Sequence, residues 1–186
     1  MKAIIKLFLT AGLVAILSAC NQNSKEKLNA NGSSQTDSIA VANDRMQISA
    51  VLDSLNTAAA KAEFDRYFSY FAENAVFIGT DATENWDKTS YMKWAKPHFD
   101  KGKTWNFKSL ERHIFFDRSG NTAWFDELLD TQMKICRGSG VLTREGTEWK
   151  IQQYVLSMTI PNSQVDTVIA IKAPVESEII RNLLNK

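Results

Sequence analysis

Carboxylates set among aromatic residues are the groups in this chain whose spacing best suits chemistry. Asp81 and Glu84 stand just ahead of Trp86, and Asp126 and Glu127 directly follow Trp124 and Phe125. A carboxylate held among rings is costly to desolvate unless paired or exposed, and burial raises its pKa toward values suited to proton transfer. If residues 121–133 form a strand, alternation sends Asp126 and Glu127 to opposite faces, so only one of them points inward. A turn centred near residue 132 sets Glu127 opposite Arg137. A second turn, between Glu145 and Gly146, sets Arg137 opposite Tyr154. The expected result is an acid, a guanidinium and a phenol in one row, with parity that a bulge would reverse. Such a row can orient a ligand oxygen, move a proton, or close the sheet as a structural ion pair.

Other chemistries find little support. His98, His113 and Cys136 have no metal-ligand spacing, so no metal is expected. Gly138-Ser139-Gly140 lacks the third glycine of a dinucleotide fingerprint, and no serine has the G-x-S-x-G context of an exposed nucleophile. No cofactor is expected. Cys136 reads as an inert core thiol, His113 as a sheet residue and His98 as exposed near a helix end. Of the five tryptophans, Trp86 and Trp94 are placed at a pocket rim and the others mainly in packing. The candidate pocket set is therefore Asp81, Trp86, Trp94, Phe125, Glu127, Arg137 and Tyr154.

The elements that must position these groups follow from periodicity. Ile48, Val51, Leu52, Leu55, Ala58, Ala59 and Ala62 recur at helical spacing behind Asn43 or Asp44 as a cap. Phe64, Tyr67, Phe68 and Phe71 form a second short stripe, and residues 75–79 read as a buried strand. Asp87 can cap a third helix carrying Tyr91, Trp94, Ala95 and Phe99, which Pro97 bends or ends. Segments 108–117, 121–133, 135–144 and 148–160, separated by turn residues, predict an antiparallel meander. Helices followed by a long sheet make an α+β domain. Residues 165–171 are expected to add an edge strand, and Pro174 to start a short terminal helix.

The first 19 residues stand apart. Lys2 and Lys6 precede an apolar run from Leu7 to Leu17, too short for a ~30 Å hydrocarbon core but suited to an export signal. Leu17-Ser18-Ala19-Cys20 resembles a bacterial lipobox, which implies cleavage before Cys20 and lipid attachment to it. Removing residues 1–19 takes away two lysines and no acid. Twenty basic residues then face 21 acidic ones, a net charge of −1 that offers no footprint for nucleic acid. Residues 20–43 are polar and read as a flexible tether; 23 residues of such chain span roughly 25 Å. The expected organisation is a signal at 1–19, a lipidated Cys20 and tether to 43, a domain at 44–161, and an extension at 162–186. The expected location is the cell envelope by lipid anchor, with the outer membrane favoured because Asn21, not aspartate, follows the cysteine.

The order of FIGTDATENW, AWFDE, RGSGVL and EWKIQQYVLS resembles the nuclear transport factor 2-like superfamily, in its SnoaL-like branch of secreted bacterial members, over residues 45–161. The resemblance implies a cone-shaped barrel in which a strongly bent, mainly antiparallel sheet wraps around N-terminal helices and encloses a pocket. The function expected is binding of a small apolar or amphipathic ligand. Two alternatives stand beside it: an acid–base isomerase, dehydratase or cyclase, and a module that pairs as a homodimer through its sheet face.

Overall fold

The computed structural model describes residues 22–185, with side-chain positions from Ser38 onward. The export segment 1–19 and the lipid site Cys20 lie outside the described residues. The chain divides into two compact units between Asn43 and Asp44. Residues 22–43 are helical rather than an irregular tether, since the first helix, α1, runs Gln22–Ala60. No proline interrupts that stretch, and extending a helix is easier than nucleating one.

The unit from Asp44 holds the chemistry. Its part of α1 buries Ile48, Leu52, Leu55, Ala58 and Ala59, the stripe that the spacing predicts. A short α2 (Phe64–Ser69) follows and buries Tyr67 and Phe68. The strand β1 (Phe71–Ile78) starts earlier than expected, so Phe71 belongs to it rather than to the helix. After β2 (Asn85–Asp87), α3 (Lys88–Asp100) begins where Asp87 accepts a hydrogen bond from the Ser90 N–H at 2.7 Å. Pro97 lies inside α3, whose buried face is Tyr91, Ala95 and Phe99.

Four long strands complete the sheet: β3 (Lys108–Phe116), β4 (Thr122–Thr131), β5 (Lys134–Glu145) and β6 (Glu148–Met158). Their order is β2-β1-β6-β5-β4-β3, antiparallel throughout except where β1 runs parallel to β6. The domain is thus α+β with a six-stranded, mainly antiparallel sheet. The expected closed cone is corrected: β2 and β3 remain open edges, and the sheet is neither closed nor strongly curled. Alternation along β4 buries Ala123, Phe125, Glu127, Leu129 and Thr131 and turns Trp124 and Asp130 outward. Each large apolar side chain so buried contributes about 1.5–3 kcal/mol.

The C-terminal edge strand is also corrected. A 3-10 turn (Asn162–Gln164) leads into α4 (Val165–Leu184), which carries Pro174 in its interior. Val165, Val168, Val175 and Ile179 recur at helical rather than alternating spacing, which explains the outcome. Among the described residues no helix is long and apolar enough to cross a membrane.

Candidate functional site

Two constellations emerge on the helix-facing side of the sheet, one sealed and one open. The sealed one centres on Glu127, whose side chain has no exposed surface. Arg112, its partner across β3 and β4, donates to the same carboxylate oxygen from Nε at 2.9 Å and from Nη2 at 2.7 Å. That guanidinium also donates to Asp53 Oδ1 at 2.8 Å and to the Ser49 carbonyl at 3.2 Å, which ties α1 to the sheet. Tyr154 donates to the other carboxylate oxygen at 3.4 Å. Burial pushes the Glu127 carboxyl above its usual range, against the pull of Arg112. Burial likewise raises the Tyr154, Tyr91 and Tyr67 phenols, so all three keep their protons.

A glycine makes the Tyr154 approach feasible. A Cβ at Gly138, which lies opposite Glu127, would sit 2.6 Å from the Tyr154 oxygen and 3.2 Å from Glu127 Cγ. Gly140 is equally constrained, since a Cβ there would lie 2.9 Å from the Phe125 ring and 2.1 Å from the Gln153 carbonyl oxygen. The glycines of the RGSG segment therefore serve close packing.

The open constellation is a cleft of about 140 Å³ lined chiefly by rings, among them Trp86, Tyr91, Trp94, Trp105 and Phe107. The Trp86, Tyr91 and Trp94 rings lie within 26° of parallel. Trp86 stacks on Trp94 at 4.9 Å and lies 7° from the plane of Tyr91. Behind them Phe77 stacks on Tyr91 at 4.0 Å and on Tyr154 at 5.7 Å, and the Tyr91 and Tyr67 hydroxyls bond at 2.8 Å. Trp94 keeps 42% of its surface exposed, so the rim is open to solvent. Among the described residues Glu84 is the one carboxylate lining this cleft. Its Oε2 accepts the Asp81 N–H at 3.2 Å, within a loop closed by Gly79 N–H to the Glu84 carbonyl at 3.0 Å.

The residues expected to share one pocket thus separate. Trp86 and Trp94 line the aromatic cleft. Phe125, Glu127 and Tyr154 cluster, but in the sealed core: Phe125 and Tyr154 are 3% exposed and their rings lie 5.8 Å apart. Asp81 is corrected out of the aromatic cleft, because its carboxylate turns to the N–H and hydroxyl of its own neighbour Thr83 at 2.8 and 2.6 Å. Those bonds hold its carboxyl below the usual range. Arg137 is corrected out of the row. It is exposed and pairs with Leu128 and Ser157, because the β4–β5 turn centres between Gln132 and Met133, half a residue from the expected point. That offset moves every pairing by one residue and exchanges the faces. A bulge between Val141 and Leu142 also shifts the β5–β6 register, which sets Tyr154 opposite Gly140.

Arg112 is the guanidinium that the sequence reading missed. The signal was available, since the turn at 118–121 that separates the first two long strands centres at 119.5 and places Arg112 opposite Glu127. Glu84 stands near Asp81 in the sequence and lies outside the candidate set. On the outer face, His113 lies between Asp126 at 3.2 Å and Glu111 at 3.3 Å and is half exposed. Cys136 is fully buried, its sulfur 3.5 Å from the Thr131 hydroxyl. Among the described residues no group of three or more His, Cys, Asp or Glu side chains is placed to hold a metal ion.

With this geometry in view, the comparisons with known proteins are consistent. Residues 48–161 match the SnoaL-like domain family. The fold is similar to that of a domain of unknown function with a cystatin-like fold from Nostoc punctiforme, at 14% identity and a TM-score of 0.59 over 77% of this chain and 98% of that one. It is also similar to an NTF2-like protein of unknown function from Pseudomonas putida (13% identity, TM-score 0.52, 65% and 90% of the chains). A protein from Streptomyces avermitilis, provisionally named a dehydratase of the NTF2-like family, aligns at 12% identity with a TM-score of 0.56 over 64% and 99%. No curated protein matches the chain in sequence. Likeness at this level of identity concerns the fold and carries no activity across.

Proposed function

We propose, from the premise that this chain belongs to the SnoaL-like domain family, that its domain binds a small apolar or amphipathic molecule in the aromatic cleft. The cleft itself carries the reading: indole, phenol and phenyl rings wall about 140 Å³, with one carboxylate at the margin. Apolar walls with few polar groups are the usual make-up of a small-molecule site. The volume sets a limit, because a cavity of about 150 Å³ accommodates a single benzene ring. The ligand, or the part of it that enters, is therefore of one-ring size.

The acid–base alternative fits less well. Glu127, the buried carboxylate such chemistry would use, is engaged by Arg112 and Tyr154 and does not line the cleft. The pairing alternative has one specific support on the outer sheet face, where Phe115 and Trp124 stack at 5.9 Å and are 47% and 46% exposed. We infer that the face joins two copies of the chain. Delivery to the envelope rests on the export segment and the lipobox at Cys20. Native mass spectrometry of the full chain with single-ring apolar compounds tests the binding reading. A retained, saturable adduct that Trp94→Ala weakens supports it, and the absence of any adduct contradicts it.

A further inference from the structure

We propose that the occupant of the aromatic cleft presents a small ammonium cation, such as a trimethylammonium group; this rests on the binding reading above and specifies its ligand class. Among the described residues no lysine, arginine or histidine lines the cleft, and the one formal charge there is the Glu84 carboxylate. That carboxylate is built in. A Cβ at Gly79 would lie 2.1 Å from Glu84 Oε2, so only a residue without one leaves the oxygen its place. The loop backbone then fixes the glutamate through Glu84 N–H to the Asp81 carbonyl and Gly79 N–H to the Glu84 carbonyl, both at 3.0 Å. The rings of Trp86, Trp94 and Trp105 line the same cleft, with Trp94 and Trp105 at 6.2 Å and 31°. Ring faces carry negative potential and attract a cation within about 6 Å of the centroid, tryptophan most strongly. In a space of about 140 Å³ an occupant touches the rings that bound it. The carboxylate and any ring face the occupant meets therefore favour the same sign of charge, and an anion entering here would lose its hydration and find no partner.

The test compares three molecules of one shape: choline, its uncharged carbon isostere 3,3-dimethylbutan-1-ol, and the anion 3,3-dimethylbutanoate. Indole serves as an uncharged aromatic control. Each is titrated into the purified full chain and followed by calorimetry. Choline is expected to bind about tenfold more tightly than the isostere, and the anion not at all. Glu84→Gln should bring choline within about twofold of the isostere and leave the isostere unchanged. Trp94→Leu, a change at the exposed rim, should weaken choline about fivefold. If the isostere or indole binds and choline binds no better, the cation inference is overturned and the binding reading stands. If none of the four binds, both are overturned.

Discussion

Arg112 and Glu127 face each other across β3 and β4, with two guanidinium nitrogens 2.7 and 2.9 Å from one oxygen of a side chain that has no exposed surface. The ion pair is a clip, since the same guanidinium reaches Asp53 and Ser49 on α1. Arg112→Ala leaves a buried carboxylate without its cation and should cost about 3–5 kcal/mol by urea unfolding. Replacing both partners, as Arg112→Met with Glu127→Leu, should cost less than that single change. A clip that supports the fold alone leaves ligand affinity of the folded fraction unaltered in both variants.

Gly138→Ala tests the close approach of Tyr154. The added methyl meets the Tyr154 oxygen at 2.6 Å, so the substitution should destabilise by about 1–3 kcal/mol. In a Tyr154→Phe background the methyl gains room, and the penalty should fall by at least half. Thermal melts of the four-member cycle read the coupling directly.

Two carboxylates should affect stability with opposite sign as pH changes. The Asp87 carboxyl is held below the usual range, chiefly by the Ser90 N–H, so its contribution is present above the ordinary aspartate pKa and lost as pH falls through the depressed one. Asp87→Ala should flatten the acid limb of the stability curve. Glu127, raised by burial, contributes most below the ordinary glutamate pKa and loses that contribution as pH rises through the elevated one. The stability advantage of the native chain over Glu127→Gln should therefore shrink as pH rises from below the ordinary glutamate pKa through the elevated one. Carboxyl carbon NMR titration would place each group on its side of the normal range.

Particular residues show how far the sequence carries. The α1 stripe, the Asp87 cap and the four long strands were legible because each depends on local periodicity or a local hydrogen bond. Glu127 and Tyr154 were brought together correctly, yet the guanidinium between strands was misassigned. A two-residue period makes facing depend on the turn centre to within half a residue, and composition does not resolve Gln132 from Gln132–Met133 as that centre. The parallel pairing of β1 with β6 is non-local, and the edge strand β2 is too short at three residues to show a period of its own. Glu84 was overlooked because its importance comes from the absence of a Cβ at Gly79, five residues earlier. The open sheet departs from the expected cone because curvature depends on how layers pack rather than on pattern.

Trp124→Glu examines the proposed pairing of copies through the outer sheet face. It places charge beside Phe115 on an already exposed surface, so the folded monomer should be little affected. Light scattering should show twice the monomer mass for the native chain and a monomer for the variant. A native monomer would contradict the pairing.

Cys20→Ser addresses the anchor. Metabolic labelling with a palmitate analogue should mark the native chain and not the variant, and the variant should leave the membrane fraction. Label retained on the variant would contradict lipid attachment at Cys20.

A ligand that enters the aromatic cleft meets some of the five tryptophans and not others, so they are built-in reporters of its arrival. In nitrogen–proton NMR spectra of the full chain, each indole N–H gives one resonance. Titration with indole or choline should shift the signals of Trp86, Trp94 and Trp105, which line the cleft. Those of Trp124, on the outer face, and Trp149, buried beneath Arg144, should stay in place. Saturable shifts confined to the first three would support the account; shifts at Trp124 alone, or none at any tryptophan, would contradict it.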